Sequence, residues 1–103
     1  MGRVDPTSVV AADVPGGVAT GVLVKFSGLM SPYDTNPVSY SGDVDALMPG
    51  YPTACPAPPS QQSLQETSFY LATRVVTSVK SVTISVQGPS ATKHATFNIL
   101  PAN

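Results

Sequence analysis

The residue types that could support catalysis are few. His94 is the only histidine and Cys55 the only cysteine in the sequence. A histidine acting as a general base needs a nucleophile and an orienting carboxylate, yet the alternation around His94 predicts an outward position on a strand. The Gly-x-Ser-x-Gly motif of serine hydrolases is also missing from the sequence. We therefore expect no enzymatic activity and assign no catalytic residue.

Acidic residues raise the question of a metal site. Asp43 and Asp45 flank one residue, so both carboxylates share a face if the chain is extended, and Asp34 precedes them. Calcium needs six to eight oxygen ligands, so solvated turn chemistry is the simpler interpretation of these aspartates. One histidine and one cysteine cannot complete a four-ligand zinc site. We expect no metal and no cofactor.

Aromatic and proline residues are better candidates for binding than for chemistry. Tyr33 and Tyr51 fall in expected loops, where exposed aromatic side chains often mediate recognition. Together with three neighbouring prolines, Pro52, Pro56 and Pro58, they form the candidate partner-binding set. The alternative is that these tyrosines pack over the open ends of the domain. For Cys55, which lies among prolines, we expect a small buried apolar role, the alternative being a reactive or intermolecular thiol.

Composition excludes several functional classes. The chain has 103 residues, a net charge of −1 and only 11% charged residues, which fits one domain, residues 1–103. It contains no run of Lys or Arg, so we expect no nucleic-acid binding. The longest apolar stretch, residues 21–26, is interrupted by Lys25 and is too short to span a bilayer. The first eight residues lack the apolar segment of a signal peptide.

Period-two alternation predicts strands along most of the chain. In residues 81–87, Val82, Ile84 and Val86 share one face, and residues 94–100 alternate in the same way around Phe97. The Gly88-Pro89 turn between them predicts a hairpin, which Pro101 should end. Further strands are expected at residues 7–11, 20–26, 37–41 and 68–76, with Phe69, Leu71, Thr73 and Val75 on one face of the last.

The middle of the chain breaks this pattern. Between residues 42 and 64, five prolines remove backbone donors, so we expect a long proline-rich loop, exposed or held by a neighbouring subunit. Residues 45–48 could form a short edge strand, and residues 61–66 offer the one place for a turn of helix. Six or seven short strands with regular turn signals predict an all-β sandwich with Greek-key connections.

The C-terminal stretch SVTISVQGPSATKHATFNILPA resembles the last two strands of bacterial immunoglobulin-like repeat modules. The stretch from Asp5 to Val10, the Gly16-Gly17 turn and residues 68–73 resemble earlier strands of the same family. Residues 43–63 depart from it, being longer and richer in proline. The resemblance implies an immunoglobulin-like Greek-key sandwich of about seven strands that serves as a spacer, adhesion or surface-decoration module.

The function expected from the sequence is therefore a non-enzymatic structural or decoration protein on the surface of a phage virion, in its capsid or tail. One alternative is a single repeat of a secreted bacterial adhesin or cell-surface protein. A second alternative is a carbohydrate-binding module that uses the loop tyrosines on a surface glycan. The expected partners are protein subunits of a larger assembly, with the chain itself a homo-oligomer or present in many copies.

Overall fold

The computed structural model describes residues 4–30, 36–55 and 64–101. Within these ranges the chain is built of strands, with one 3₁₀ turn and no α-helix. The strands are β1 (Pro6–Ala11), β2 (Val14–Pro15), β3 (Thr20–Met30), β4 (Val38–Gly42), β5 (Leu64–Leu71), β6 (Lys80–Gln87) and β7 (Thr92–Leu100). The single 3₁₀ turn spans Val44–Ala46.

The strands form two sheets. The first sheet has the order β1-β3-β5 and the second the order β2-β7-β6-β4. All pairings are antiparallel except that of β2 with β7, which is parallel. The predicted hairpin of β6 and β7 is confirmed, with Ile84 opposite Ala95 and Val82 opposite Phe97. Pro101 follows the last strand directly, as expected of a residue without a backbone donor.

One core joins the two sheets, an arrangement compatible with a β-sandwich. The first sheet contributes Val22 and Val24, and the second Ile84, Phe97 and Ile99, all fully buried. Alternation predicted these inward faces correctly, because successive side chains of a strand point to opposite sides of the sheet. The core continues through a larger set of buried residues: Val9, Phe26, Val38, Phe69, Leu71, Val82 and Val86.

The N-terminal segment belongs to both sheets, which requires a crossing between β1 and β2. At the crossing, the buried hydroxyl of Thr20 donates to the backbone oxygen of Ala12 at 2.6 Å. The next residue, Asp13, accepts a hydrogen bond from the backbone N–H of Asn98 at 2.8 Å. Side chains thus provide hydrogen bonds where the chain leaves one sheet for the other.

A second aspartate, Asp5, binds the turn between β6 and β7. One oxygen of Asp5 accepts the backbone N–H groups of Ser90 and Ala91, at 2.8 and 3.0 Å, and the other accepts the Ser90 hydroxyl at 2.6 Å. The turn between β6 and β7 is therefore tied to a residue 85 positions earlier in the chain. These hydrogen bonds from Ser90 and Ala91 hold the pKa of Asp5 below its usual value.

The strand predicted at residues 68–76 is confirmed only for residues 68–71. β5 begins at Leu64 and ends at Leu71. Phe69, Leu71 and Thr73 are buried as expected, but Val75 is 71% exposed and Val76 is buried instead. Beyond Leu71 the backbone of residues 72 and 74 bonds to Met48 and Ala46 and no longer to the β3 backbone. Only the Thr73 side chain still reaches across, where its hydroxyl donates to the Val18 oxygen at 2.7 Å.

Two further expectations for the middle of the chain are wrong. Residues 45–48 do not form an edge strand, since Val44–Ala46 is a 3₁₀ turn and only Leu47 makes an isolated bridge, to Thr73. The turn of helix expected at residues 61–66 is contradicted from Leu64 onward, where β5 begins, and residues 61–63 lie outside the described ranges. Strand pairing to β3 overrides the local helical preference there.

Phe97 tests the register of the core. Because its ring is fully buried between the sheets, we expect Phe97→Ala to lower the free energy of unfolding by roughly 3–5 kcal/mol. Urea denaturation followed by far-ultraviolet circular dichroism measures this. Leu100→Ala on the same strand is the matched control, since Leu100 is partly exposed and should lose much less. Equal losses for the two variants would contradict the burial of Phe97.

Asp5 makes stability depend on acid. A carboxylate whose pKa is lowered by folding stabilises the native state above its unfolded pKa of roughly 3.9, and this stabilisation is lost as pH falls through the lower folded value. We expect Asp5→Asn to lower the melting temperature at pH 7 and to converge with the parent chain near pH 2. Asp45→Asn is the control, since Asp45 is exposed and takes no part in the hydrogen bonds between Asp5 and residues 90–91. A difference that persists unchanged in acid would show that the carboxylate charge is not responsible.

Candidate functional site

Two of the five candidate partner-binding residues, Tyr51 and Pro52, belong to the part of the chain that the structure describes, and both are half-buried. The other three, Tyr33, Pro56 and Pro58, lie outside the described ranges. The Tyr51 ring packs edge-on against Tyr40 of β4, with centroids 4.7 Å apart and planes at 64°. The Tyr40 hydroxyl donates to the Pro52 backbone oxygen at 2.7 Å. The structure therefore places Tyr51 and Pro52 against the chain's own β4.

Residues 51–55 cover part of the outer edge of β4. The N–H of Val38 donates to the Thr53 oxygen at 2.9 Å, and the N–H of Cys55 donates to the Asn36 oxygen at 3.0 Å. A bridge between Pro37 and Ala54 lies between these two bonds. Hydrogen bonds within the chain therefore hold this segment, although Thr53 itself is exposed, as expected. Contact with a neighbouring subunit stays a prediction.

Tyr40 packs against Tyr51 and lies close enough to the buried Cys55 to interact with it electrostatically. These three residues are called the tyrosine cluster. Cys55 is buried, as predicted from its proline-rich surroundings, and burial raises its pKa to about 11. Burial also raises the pKa of Tyr40, with smaller contributions from Cys55 and Tyr51. A thiol with so high a pKa carries little thiolate near neutral pH and is a poor nucleophile. Packing is the role that this geometry supports.

Asn36 ties the tyrosine cluster to the rest of the molecule. Its side chain is fully buried, and the amide nitrogen donates to the backbone oxygens of Val4 and Gln87, at 3.0 and 3.1 Å. Its backbone oxygen accepts the Cys55 bond described above. One buried amide thus joins the N-terminal segment, the end of β6 and residues 51–55. Sequence reasoning missed it, because an isolated asparagine before a proline reads as an ordinary turn residue.

An open groove of about 390 Å³ lies near the start of β6. Residues 42–46 form one wall, with Asp43 and Asp45, and residues 74–77 with Lys80 form the other, which includes Arg74. The walls are joined by a hydrogen bond from the Arg74 N–H to the Ala46 oxygen at 2.8 Å. The groove can offer groups of both charges to a polar partner. The sequence gives no signal for it, since the walls lie about thirty residues apart.

The aspartates of this groove do not assemble a calcium site with the residues described. One carboxylate oxygen of Asp43 accepts the N–H of Ser81 at 3.0 Å, which makes it part of the turn. No group of three or more histidine, cysteine, aspartate or glutamate side chains comes together within residues 4–30, 36–55 and 64–101. Asp34, the third carboxylate considered from the sequence, is not among them.

His94 lies outward on β7, as predicted, and shares a hydrogen bond of 2.7 Å with Ser85 through its Nδ1 atom. This pair resembles the first two members of a catalytic triad only in composition. Ser85 lies mid-strand in β6, between Ser39 of β4 and His94 of β7, so the ladders on both sides engage the neighbouring backbone N–H groups. Those groups cannot then form an oxyanion hole. The pair stabilises the sheet surface.

No helix in the described residues has the length and apolar character needed to cross a membrane. Comparison of the chain with protein-family models, with curated proteins and with solved structures found no match.

Cys55 reports whether residues 51–55 are held against β4. We expect its thiol in the folded chain to react with a disulfide reagent at pH 8 at least about a hundredfold more slowly than in urea, because it is buried and protonated. Tyr51→Ala should accelerate the reaction by opening the tyrosine cluster. Tyr70→Ala, which removes an exposed tyrosine from the other sheet, is the control. A native rate equal to the rate in urea would contradict the packing.

Proposed function

We propose that the chain is a non-enzymatic structural module with an immunoglobulin-like Greek-key sandwich, displayed on the surface of a larger assembly such as a phage virion. The strand order is the observation that carries this proposal. Immunoglobulin-like sandwiches place strands A, B and E in one sheet and C, F and G in the other. Here β1, β3 and β5 correspond to the first set and β4, β6 and β7 to the second. The parallel strand β2 extends the second sheet beside β7.

The use of the polar side chains supports a structural role. Asp5, Asp13 and Asp43 each accept a backbone N–H from a distant part of the chain. The thiol of Cys55 is buried, and His94 pairs with a serine on the neighbouring strand. Groups that would serve chemistry in an enzyme thus hold strands and turns in place.

Contact with partner subunits would involve Tyr51 and Pro52, with Pro56 and Pro58 beyond them. Tyr51 is half-exposed and already held by Tyr40. An aromatic side chain ordered before binding loses less conformational entropy on association than a free one. The hydrogen bond from Tyr40 to Pro52 orders the neighbouring backbone in the same way.

Immunogold electron microscopy tests the proposed setting. Antibodies raised against the purified chain are applied to phage particles and to bacterial cells from the same source. Gold at regular positions on capsids or tails is the expected result, and antibody pre-absorbed with the chain is the control. Particles without label would overturn the virion assignment.

A tandem repeat of a bacterial surface protein is the second candidate, favoured by the positions of the domain's two ends. Asp5, just before β1, lies at the turn that opens β7. β7 then runs away from this turn for nine residues, about 26 Å, and the oxygen of Leu100 meets the N–H of Gly16 at the far end. The polypeptide thus enters at one end of an elongated domain and leaves at the other, as beads on a string require.

Label confined to the cell envelope would favour this tandem repeat over the virion protein. The loop tyrosines give less support to the third alternative, a carbohydrate-binding module. Tyr51 is engaged with Tyr40, so its ring face is only partly available for stacking on a sugar. Tyr33 lies outside the described ranges.

A further inference from the structure

The outer faces of the two sheets differ in character. On the second sheet, small polar side chains pair across the strands: Thr83 with Thr96 at 2.8 Å, and Ser81 with Asn98 at 2.6 Å. Ser85 pairs with His94 in the same way. This face satisfies its own hydrogen bonds and presents polar groups to water, which gives a partner little apolar surface to bury.

The outer face of the first sheet has an apolar strip instead. Val10 lies opposite Leu23 on the neighbouring strand and is 57% exposed. Tyr70, on the third strand, is 75% exposed. Its ring leans over Gly21, since a Cβ atom there would lie only 3.3 Å from the ring. Tyrosine is enriched at the centre of protein interfaces, and the neighbouring Val10 adds apolar area beside it.

Two opposite charges flank this strip. Lys25 of β3 lies directly across from Glu66 of β5, and both are exposed. No ion pair within 4 Å joins them in the described part of the chain. A lysine and a glutamate side by side on neighbouring strands form a self-complementary pair. A two-fold rotation can place the lysine of one molecule opposite the glutamate of a second, and the glutamate opposite the lysine.

We propose that the outer face of the first sheet packs against the same face of a second copy, about a two-fold axis that runs along the strands between β3 and β5. This axis exchanges the β3 and β5 positions, so Lys25 of one copy faces Glu66 of the other, twice per dimer. The ring of Tyr70, which leans toward β3, meets its symmetry mate at the axis. An isologous contact of this kind needs one self-complementary patch, which the two charges and the Tyr70 ring supply, with Val10 at its rim.

The size of the face determines how tight this dimer is. About this axis only β3 and β5 overlap with the second copy, and β1 lies at the rim. Two strands about 4.8 Å apart and six residues long give a footprint of roughly 10 by 20 Å. Standard stable interfaces bury on the order of 800 Å² per partner, so we expect a dissociation constant of about 10 µM to 1 mM. Such a contact is populated where many copies share a surface, and in that respect the inference rests on the proposed structural function.

Sedimentation equilibrium of the purified chain from about 10 µM to 2 mM tests the inference. The parent chain should show a concentration-dependent monomer–dimer equilibrium. Lys25→Glu and Glu66→Lys should each weaken it at least about tenfold, since each places like charges together twice. The double variant should restore it, because it merely exchanges the two charges. Arg74→Glu is the matched control, with the same charge change at an exposed residue away from this face.

Tyr70→Ser tests the strip independently of charge and should also weaken the dimer. Thermal denaturation at low concentration checks that every variant is folded. A parent chain that stays monomeric at 2 mM overturns the inference, as does a dimer that all three single variants leave intact. Failure of the double variant to recover overturns the proposed axis. None of these results bears on the immunogold test, so the structural function stands or falls separately.

Discussion

One core lies between the two sheets, and the N-terminal segment forms strand pairs with both of them. β1 covers the first sheet's edge at β3, and β2 extends the second sheet beside β7. Between them the chain must leave one ladder before it joins the other, which removes regular backbone partners at the crossing. Thr20 and Asp13 supply the missing hydrogen bonds from their side chains. The Thr20 bond is partly buried and the Asp13 bond is exposed, so the loss of the Thr20 bond would cost more, on the order of 1 kcal/mol.

The same constraint explains which parts of the fold the sequence could predict. Alternation identified the inward residues of β3, β6 and β7, because a strand with one buried face needs a period of two. It failed at Val75, because beyond Leu71 the backbone bonds to Met48 and Ala46 and does not continue the ladder with β3. Those bonds join residues 24 and 28 positions apart (72 with 48, and 74 with 46). A local pattern contains no information about such a partner, so it extended the strand as though the ladder continued.

The candidate site shows this limit more strongly. From the sequence, Tyr51 lies in a segment without periodicity, which leaves open whether its ring serves recognition or packs over the end of the domain. Its actual environment depends on Tyr40, and on the bridge from Pro37 to Ala54 that lays residues 51–55 along β4. The burial of Cys55 was predicted correctly, because an isolated cysteine among prolines behaves as a small apolar residue. Composition was informative there, whereas the pairing of segments was not.

The low charge of the chain has a structural consequence at its surface. A sheet whose outer face holds many ionised side chains is kept apart from others by hydration and repulsion. Here the second sheet achieves a hydrated surface with neutral pairs such as Thr83 and Thr96, whose strength does not depend on salt screening. The first sheet has Lys25 and Glu66 directly opposite each other, on its central strand β3 and its edge strand β5. Because the chain has so few charges, the positions of Lys25 and Glu66 determine which surface can pack against the first sheet. Reversing the sign of either residue would change that choice.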